Sequence, residues 1–264
     1  MNVISCDVGW KGATKRNAVA IATDSRQIDF VKSGLDDDHL VALVREWAVP
    51  QSLILLDVPI EGCDNLEGPR RPIERVLQRY IALYPASMAG KRGKQLKEIL
   101  LQAIHTEVRG SVIIKEMYPH AVYKFLWVAK RKGKLAKVQL GEWQSVLDQD
   151  FTPSRSPPKY KGNIEYNRRL AGMQKLYTFL TQCLDLRFSR PLDSPHRSSA
   201  RSRLELLADQ YDACLGGVVG LHCVAGNPYA LIAGDEHQGE MLLLADMWLK
   251  ERLEECGISM KRLC

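Results

Sequence analysis

Five carboxylates of this chain occupy positions where a folded protein ordinarily avoids charge. Each of the first three follows a short apolar run, and the last two stand three residues apart at the start of an apolar stretch. They are Asp7, Asp57, Glu116, Asp209 and Asp212. Burying an ionised acid costs several kcal/mol unless a cation compensates its charge. No cluster of His or Cys accompanies these acids, so the donor set favours two Mg²⁺ or Mn²⁺ ions over zinc.

The first two acids are predicted to lie at the same edge of a sheet. Asp7 ends a predicted strand at 2–8, and Asp57 lies at the end of another at 52–58, directly before Val58-Pro59. Open α/β sheets bind ligands at the carboxyl ends of their strands. The alternative is structural, because Asp also favours tight turns such as the one predicted at 9–12.

The other three acids allow both a metal-binding and a structural interpretation. Glu116 lies near the end of a predicted strand at 111–117 and precedes Pro119, and it either binds metal or pairs with Lys115 or an arginine. Asp209 and Asp212 share one face of a predicted helix, where like charges repel without a cation. Acids are also favoured in the first turn of a helix, which Asp209 fits better than Asp212. We therefore predict Asp212 as a metal ligand and Asp209 as a second one.

The elements that position these acids have a specific order. Alternating and continuous apolar runs predict strands at 2–8, 18–23, 28–33 and 52–58, with a helix from Asp36 between the third and the fourth. Helices are predicted at 72–84, 95–107 and 163–184, after Pro119, and at 204–221, which carries Asp209 and Asp212. The chain of 264 residues is thus predicted to be a single α/β domain.

The middle of the chain is strongly basic. Residues 91–203 hold 23 Lys/Arg and 9 Asp/Glu, a net charge of +14, whereas the remaining residues sum to −8. A basic helical and loop insertion is predicted at about 129–203. It suits a polyanion held beside a carboxylate-bound metal, although a solvated lysine-rich insert has the same composition.

Within this region a group of cations is interleaved with aromatic residues. The cations predicted to contact nucleic-acid phosphates are Lys124, Lys130, Arg131, Lys132 and Lys134. Tyr123, Phe125 and Trp127 are spaced so that they either stack on bases or form the core face of a helix.

Composition indicates the compartment. Seven cysteines form no Cys-x-x-Cys pair and mostly lie in apolar surroundings, which is typical of reduced thiols. The N-terminus lacks the pattern of a signal peptide, and no run of about 18 apolar residues occurs. We predict a cytoplasmic protein without a membrane partner.

Four short motifs, in this order and spacing, resemble a known family. They are Asp7-Val8-Gly9-Trp10, Leu56-Asp57-Val58-Pro59, Lys115-Glu116-Met117-Tyr118-Pro119 and Asp209-Gln210-Tyr211-Asp212-Ala213. The pattern resembles the predicted ribonuclease H-like nucleases of domain-of-unknown-function family 429. The resemblance implies a mixed five-stranded sheet in the order 3-2-1-4-5 with helices on both faces. It also implies that Asp7, Asp57, Glu116 and Asp212, with Asp209, hold two divalent ions.

The leading hypothesis is a metal-dependent nuclease that hydrolyses phosphodiester bonds of DNA or RNA. One alternative is a non-catalytic nucleic-acid-binding or assembly module whose acids are structural. Another is a phosphotransferase of the sugar-kinase and actin superfamily, whose opening motif resembles Asp7-Val8-Gly9. Those proteins need a second domain and a second phosphate loop, which this sequence does not clearly contain.

Overall fold

A computed structural model of the chain has ten strands and eight α-helices among the residues that it describes. It describes residues 1–9, 16–23, 26–62, 70–83, 90–131, 156–184, 186–235, 237 and 239–263. The strands are β1 (Val3–Asp7), β2 (Asn17–Ala22), β3 (Gln27–Ile28), β4 (Phe30–Leu35), β5 (Leu53–Leu56), β6 (Ile113–Met117), β7 (Arg187–Phe188), β8 (Ala230–Ala233), β9 (Met241–Leu244) and β10 (Met260–Lys261). The helices are α1 (Asp37–Trp47), α2 (Pro72–Ile81), α3 (Gly90–Ala103), α4 (Thr106–Arg109), α5 (Pro119–Arg131), α6 (Tyr166–Thr178), α7 (Arg201–Val224) and α8 (Met247–Glu255). A π-helical segment, Phe179–Cys183, continues α6.

The main sheet is mixed and has eight described strands in the order β10-β8-β9-β6-β5-β1-β2-β4. β1, β5, β6 and β9 run parallel to one another, whereas β2 is antiparallel to β1 and β4. The predicted α/β class is therefore confirmed. The predicted number of five strands is wrong. Short apolar runs such as those of β8 and β9 do not distinguish strand from helix by periodicity, so the sequence left them unassigned.

Helices cover both faces of the sheet, as predicted, because the strands bury alternate residues on opposite sides. Ile4 and Cys6 of β1 pack in one buried core with α1 and α3. Val3 and the alternate residues of β5, Leu53 and Leu55, belong to the other core, which contains α5 and α7.

The predicted basic insertion contributes to the core where the structure describes it. Leu170, Met173 and Leu176 of α6 are buried in the same cluster as α7. The alternative of a solvated insert is therefore wrong for this helix. The rest of the predicted insertion includes residues 132–155, which lie outside the described residues.

The helices and the cysteines can be compared with the predictions of no membrane span and of reduced thiols. Among the described residues, no helix is both long and apolar enough to cross a lipid bilayer. The described cysteines at 6, 183, 214, 223 and 256 are free thiols.

Candidate metal centre

Strand phase places Asp7 and Asp57 side by side. Asp7 is in phase with Val3, and Asp57 is in phase with Leu53, so both project toward the α7 face of the sheet. β1 and β5 pair in parallel, and the backbone N–H of Asp57 donates to the carbonyl of Cys6 at 2.9 Å. The two acids therefore leave adjacent strands at the same edge, as the sequence predicted.

Close packing of α7 on β1 brings Asp212 to these acids. A Cβ atom at Gly216 would lie 2.0 Å from Ser5 Oγ, and one at Gly220 would lie 2.4 Å from Val3 Cγ1. Four helical residues rise about 6 Å and two strand residues about 6.6 Å, so the helix and the strand stay in step. One turn before Gly216, this spacing places Asp212 over Asp7.

Neither of the two predicted ligands on α7 lies in the first turn of the helix. The helix begins at Arg201, and its first turn contains no acid, whereas Asp209 and Asp212 lie two to three turns in. Both are buried, at 3% and 2% exposure. The helix-start interpretation is therefore wrong, and a cation must compensate these charges.

Three of the predicted ligands form one compact group. Asp7, Asp57 and Asp212 each offer a carboxylate oxygen, and these oxygens lie within 4.8 Å of one another. Burial, together with the charge of Asp212, raises the pKa of Asp57 to about 7. Burial also raises the pKa of Asp7, against the opposing effect of Lys161. These are the signs of crowded anions that lack sufficient positive charge.

A lysine that the sequence did not single out reaches into the acids. Lys161 Nζ lies 3.1 Å from Asp7 Oδ2 and 3.1 Å from Asp209 Oδ1, and it also contacts Asp212 Oδ2. The carboxylates raise the pKa of Lys161 even though burial lowers it, which keeps the ammonium charged.

Asp209 differs from the other predicted metal ligands. It lies outside the three-carboxylate group and contacts two cations, Lys161 and Arg16, whose Nε donates to Asp209 Oδ2 at 3.2 Å. Asp209 was predicted to be a metal ligand, but in the structure it pairs with two cationic side chains instead of joining the other carboxylates.

Glu116 is not part of the group formed by Asp7, Asp57 and Asp212. Arg71 binds both of its carboxylate oxygens, with Nη1 donating to Glu116 Oε2 at 2.6 Å, and Ile60 N–H lies 3.4 Å from the same oxygen. Arg71 also binds Glu74, and all three side chains are almost fully buried. Of the two interpretations of Glu116, a metal ligand or a salt-bridge partner, the structure shows a salt bridge with an arginine.

Tyr160 and His120 complete the wall beside Asp212. The Tyr160 hydroxyl donates to Asp212 Oδ1 and lies 3.3 Å from His120 Nδ1. The two rings stack with centroids 5.1 Å apart. Burial lowers the pKa of His120, which favours the neutral imidazole. A hydrogen bond of this kind fixes the orientation of a carboxylate ligand.

These acids lie in a cleft of about 1350 Å³. Its lining includes Asp7, Asp57, Asp209 and Asp212 together with cationic side chains. The cations are Arg16, Lys124, Lys159, Lys161, Arg169 and Arg201. Carboxylates at the base of the cleft could hold a cation beside a phosphate group. The cationic side chains along its sides would attract the neighbouring negative charges of a polyanion.

The five cations predicted to contact nucleic acid differ in their exposure to solvent. The ammonium of Lys124 is buried and donates to the carbonyls of Ile81 and Ala82, both at 2.7 Å, so it caps the end of α2. Burial lowers the pKa of Lys124 to about 8. Lys130 and Arg131 are exposed at the end of α5, and Lys130 contacts Cys183 and the ring of Phe179. Lys132 and Lys134 lie outside the described residues.

The aromatic residues of α5 belong to the core. Tyr123 and Phe125 are 0% and 1% exposed, and Trp127 packs against the same cluster. The core interpretation of their spacing is confirmed, and the rings of Tyr123 and Phe125 are too deeply buried to stack on bases.

Sequence reasoning missed Lys161, Tyr160, Arg16 and the role of His120. The first two lie in a segment rich in prolines and cations that predicts only a loop. A tyrosine and a lysine beside a glycine form no recognised ligand pattern. Lys161 and Tyr160 become part of the site through their contacts with Asp212 of α7.

The donor set fits a hard divalent cation. The three grouped ligand atoms are all carboxylate oxygens, which Mg²⁺ and Mn²⁺ prefer. Comparisons of the chain with protein-family models, with curated proteins and with solved structures find no match.

Proposed function

We propose that this protein is a divalent-metal-dependent nuclease that hydrolyses phosphodiester bonds in DNA or RNA. The observation that carries the proposal is the convergence of Asp7, Asp57 and Asp212 from two parallel strands and one helix. Their oxygens meet on the floor of a cleft whose walls are basic. Such a combination suits an anionic substrate that reacts beside a bound cation.

The architecture supports a ribonuclease H-like fold and the resemblance to family 429. The strand order β4-β2-β1-β5-β6 equals the order 3-2-1-4-5 that the resemblance implies. In this proposal β9, β8 and β10 extend the sheet at the β6 edge, and the basic segment around α6 is the insertion.

Asp7, Asp57 and Asp212 would hold Mg²⁺ or Mn²⁺. Such an ion, when bound, stabilises developing negative charge and lowers the pKa of water. The side chains of the protein contribute orientation and charge. Tyr160 fixes the carboxylate of Asp212 through its hydroxyl, and Lys159 and Arg201 on the cleft wall attract the flanking phosphates.

The expected cytoplasmic location is part of this proposal. Five described cysteines are free, and three of them, Cys6, Cys214 and Cys223, are buried. Reduced buried thiols are typical of a reducing compartment.

A cleavage assay tests the proposal. The purified full chain is incubated with single-stranded and hairpin DNA and RNA in Mg²⁺, Mn²⁺ or EDTA. We expect cleavage in either metal, none in EDTA, and none for Asp7→Asn. The matched control is Glu254→Gln, which removes an exposed carboxylate from α8 and leaves cleavage unchanged.

Two other results would replace the proposal. Nucleic-acid binding that Asp7→Asn does not change, without cleavage in any metal, would favour a non-catalytic binding or assembly module. Phosphate release that depends on ATP would favour a phosphotransferase.

A further inference from the structure

The backbone on both sides of Lys161 is held in place by packing and hydrogen bonds, so its ammonium is directed at the carboxylates. Its neighbour Tyr160 is fully buried and donates to Asp212, and the carbonyl of Gly162 accepts from Arg169 Nη2 at 2.6 Å. On the same segment, a Cβ atom at Gly172 would lie 2.1 Å from the carbonyl oxygen of Lys159, so α6 packs directly on this backbone. The chain is therefore fixed on both sides of Lys161, which distinguishes it from a surface lysine that reaches the acids by chance.

The four aspartates divide into two overlapping sets. Asp7, Asp57 and Asp212 form the group with the geometry of a cation site. Asp7, Asp212 and Asp209 surround the ammonium of Lys161. A lysine ammonium has three N–H donors, which equals the number of carboxylates in the second set. Two cation positions thus share Asp7 and Asp212, and the protein itself fills one of them.

The charge balance favours one added ion. Four ionised aspartates and Glu205, which binds both Arg16 and Arg169, carry −5, while Lys161, Arg16 and Arg169 carry +3. One divalent ion neutralises the remaining −2, whereas two would leave an excess of +2 in a largely buried site. Uncompensated buried charge of either sign is costly.

We propose that this site binds a single divalent ion at Asp7, Asp57 and Asp212, and that Lys161 takes the place of the second ion. The inference rests on the proposed function and replaces the two ions expected from the sequence with one. Lys161 acts as a positioning residue, because it holds Asp7, Asp209 and Asp212 and neutralises part of their charge.

Counting bound Mn²⁺ tests this inference without any substrate. Free Mn²⁺ is measured by electron paramagnetic resonance while the metal-free full chain is titrated at neutral pH. We expect one bound Mn²⁺ per wild-type chain and two per Lys161→Met chain, because the substitution removes the ammonium and leaves the Asp209 side of the site vacant. Lys161→Arg, which keeps the charge, should bind one.

A matched control separates this effect from a general change in cleft charge. Lys159→Met removes a cation two residues away that lines the same cleft, and it should leave the count at one. A purely structural role for Lys161 would change the melting temperature but not the number of ions.

Each outcome decides between the two proposals. Two ions on the wild-type chain, or one ion on Lys161→Met, would overturn the role of Lys161 and leave the nuclease proposal standing. No bound ion on the wild-type chain would overturn both. If Lys161→Met does not fold without metal, it is folded and counted in Mn²⁺, and the wild-type count still decides.

Discussion

Two clusters of buried acids and cations lie at the same edge of the sheet, and they differ in how completely the acids are neutralised. In the closed cluster, Arg71 lies between Glu74 and Glu116. In the open cluster, Lys161 and Arg16 face four carboxylates, which are Asp7, Asp57, Asp209 and Asp212. The closed cluster is sealed within the protein, whereas the open cluster lies in the cleft.

The geometry of the cation explains the difference. The planar guanidinium of Arg71 binds Glu74 through Nε at 2.9 Å and Nη2 at 2.7 Å. It binds Glu116 through both terminal nitrogens and also donates to the carbonyl of Glu61 at 3.0 Å. Every donor is used, so this cluster has no capacity for a ligand. A lysine provides one charge at one point, which leaves Asp57 to be neutralised by something else.

The comparison shows that a carboxylate at the end of a strand is not by itself a functional residue. Asp57 directly follows β5, and Glu116 lies near the end of β6, the neighbouring parallel strand. Glu116 is paired with an arginine and is structural. Asp57 faces a cleft with too little positive charge, and it is a candidate metal ligand.

The largest expected effect is on cleavage. Asp212→Asn should reduce the rate about a thousandfold, which corresponds to about 4 kcal/mol, because it removes a ligand and the partner of Tyr160. Glu116→Gln should leave the rate per folded molecule unchanged. Single-turnover rates and melting curves for both variants check this. Equal losses in the two variants would remove the distinction between the clusters.

The next effect is on stability. Arg71→Met should lower the free energy of unfolding by about 3–5 kcal/mol, because it leaves Glu74 and Glu116 buried without a cation. Mn²⁺ should not restore this loss. Lys161→Met should cost less, since 31% of the Lys161 side chain is exposed, and Mn²⁺ should restore it. Urea unfolding with and without Mn²⁺ measures both, and rescue of Arg71→Met by the metal would contradict the comparison.

A smaller effect is expected from the hydroxyl that orients Asp212. Tyr160→Phe should weaken Mn²⁺ binding about tenfold while the fold is retained. Tyr123→Phe is the matched control, because the Tyr123 hydroxyl is buried and has no hydrogen-bond partner among the described residues. Its removal should not change the affinity for Mn²⁺. An unchanged affinity in Tyr160→Phe would show that this hydrogen bond does not support the site.

The smallest effect concerns pH in metal-free buffer. The pKa of Asp57 is about 7 in the folded protein and about 3.8 ordinarily, so the folded state retains a proton that the unfolded chain releases between these values. Stability should therefore fall as the pH rises through this window. Asp57→Asn should reduce the slope and raise the melting temperature near pH 7 by about 2–4 °C. Melting curves between pH 5 and 8 in EDTA test this, and identical slopes in the two proteins would contradict it.

The local sequence pattern was sufficient to predict some residues of the site but not the partners of others. Asp7 and Asp57 were predictable because strand period and parallel pairing place them at one edge. Asp212 was predictable from its position on an apolar helix. The pairing of Glu116 with Arg71 was not, because the two residues are 45 positions apart and an arginine before a proline indicates only a helix start.

The sequence by itself determined the α/β class and the three carboxylates that converge, because both follow from periodicity and from the pairing of neighbouring elements. The tertiary structure decided which acids are neutralised and by what. Arg71, Lys161 and Tyr160 reach their carboxylates across packed layers, and no local pattern specifies such distant contacts. Glycines on α7 let the helix approach β1 closely enough for Asp212 to join Asp7, and that approach turns separate acids into one site.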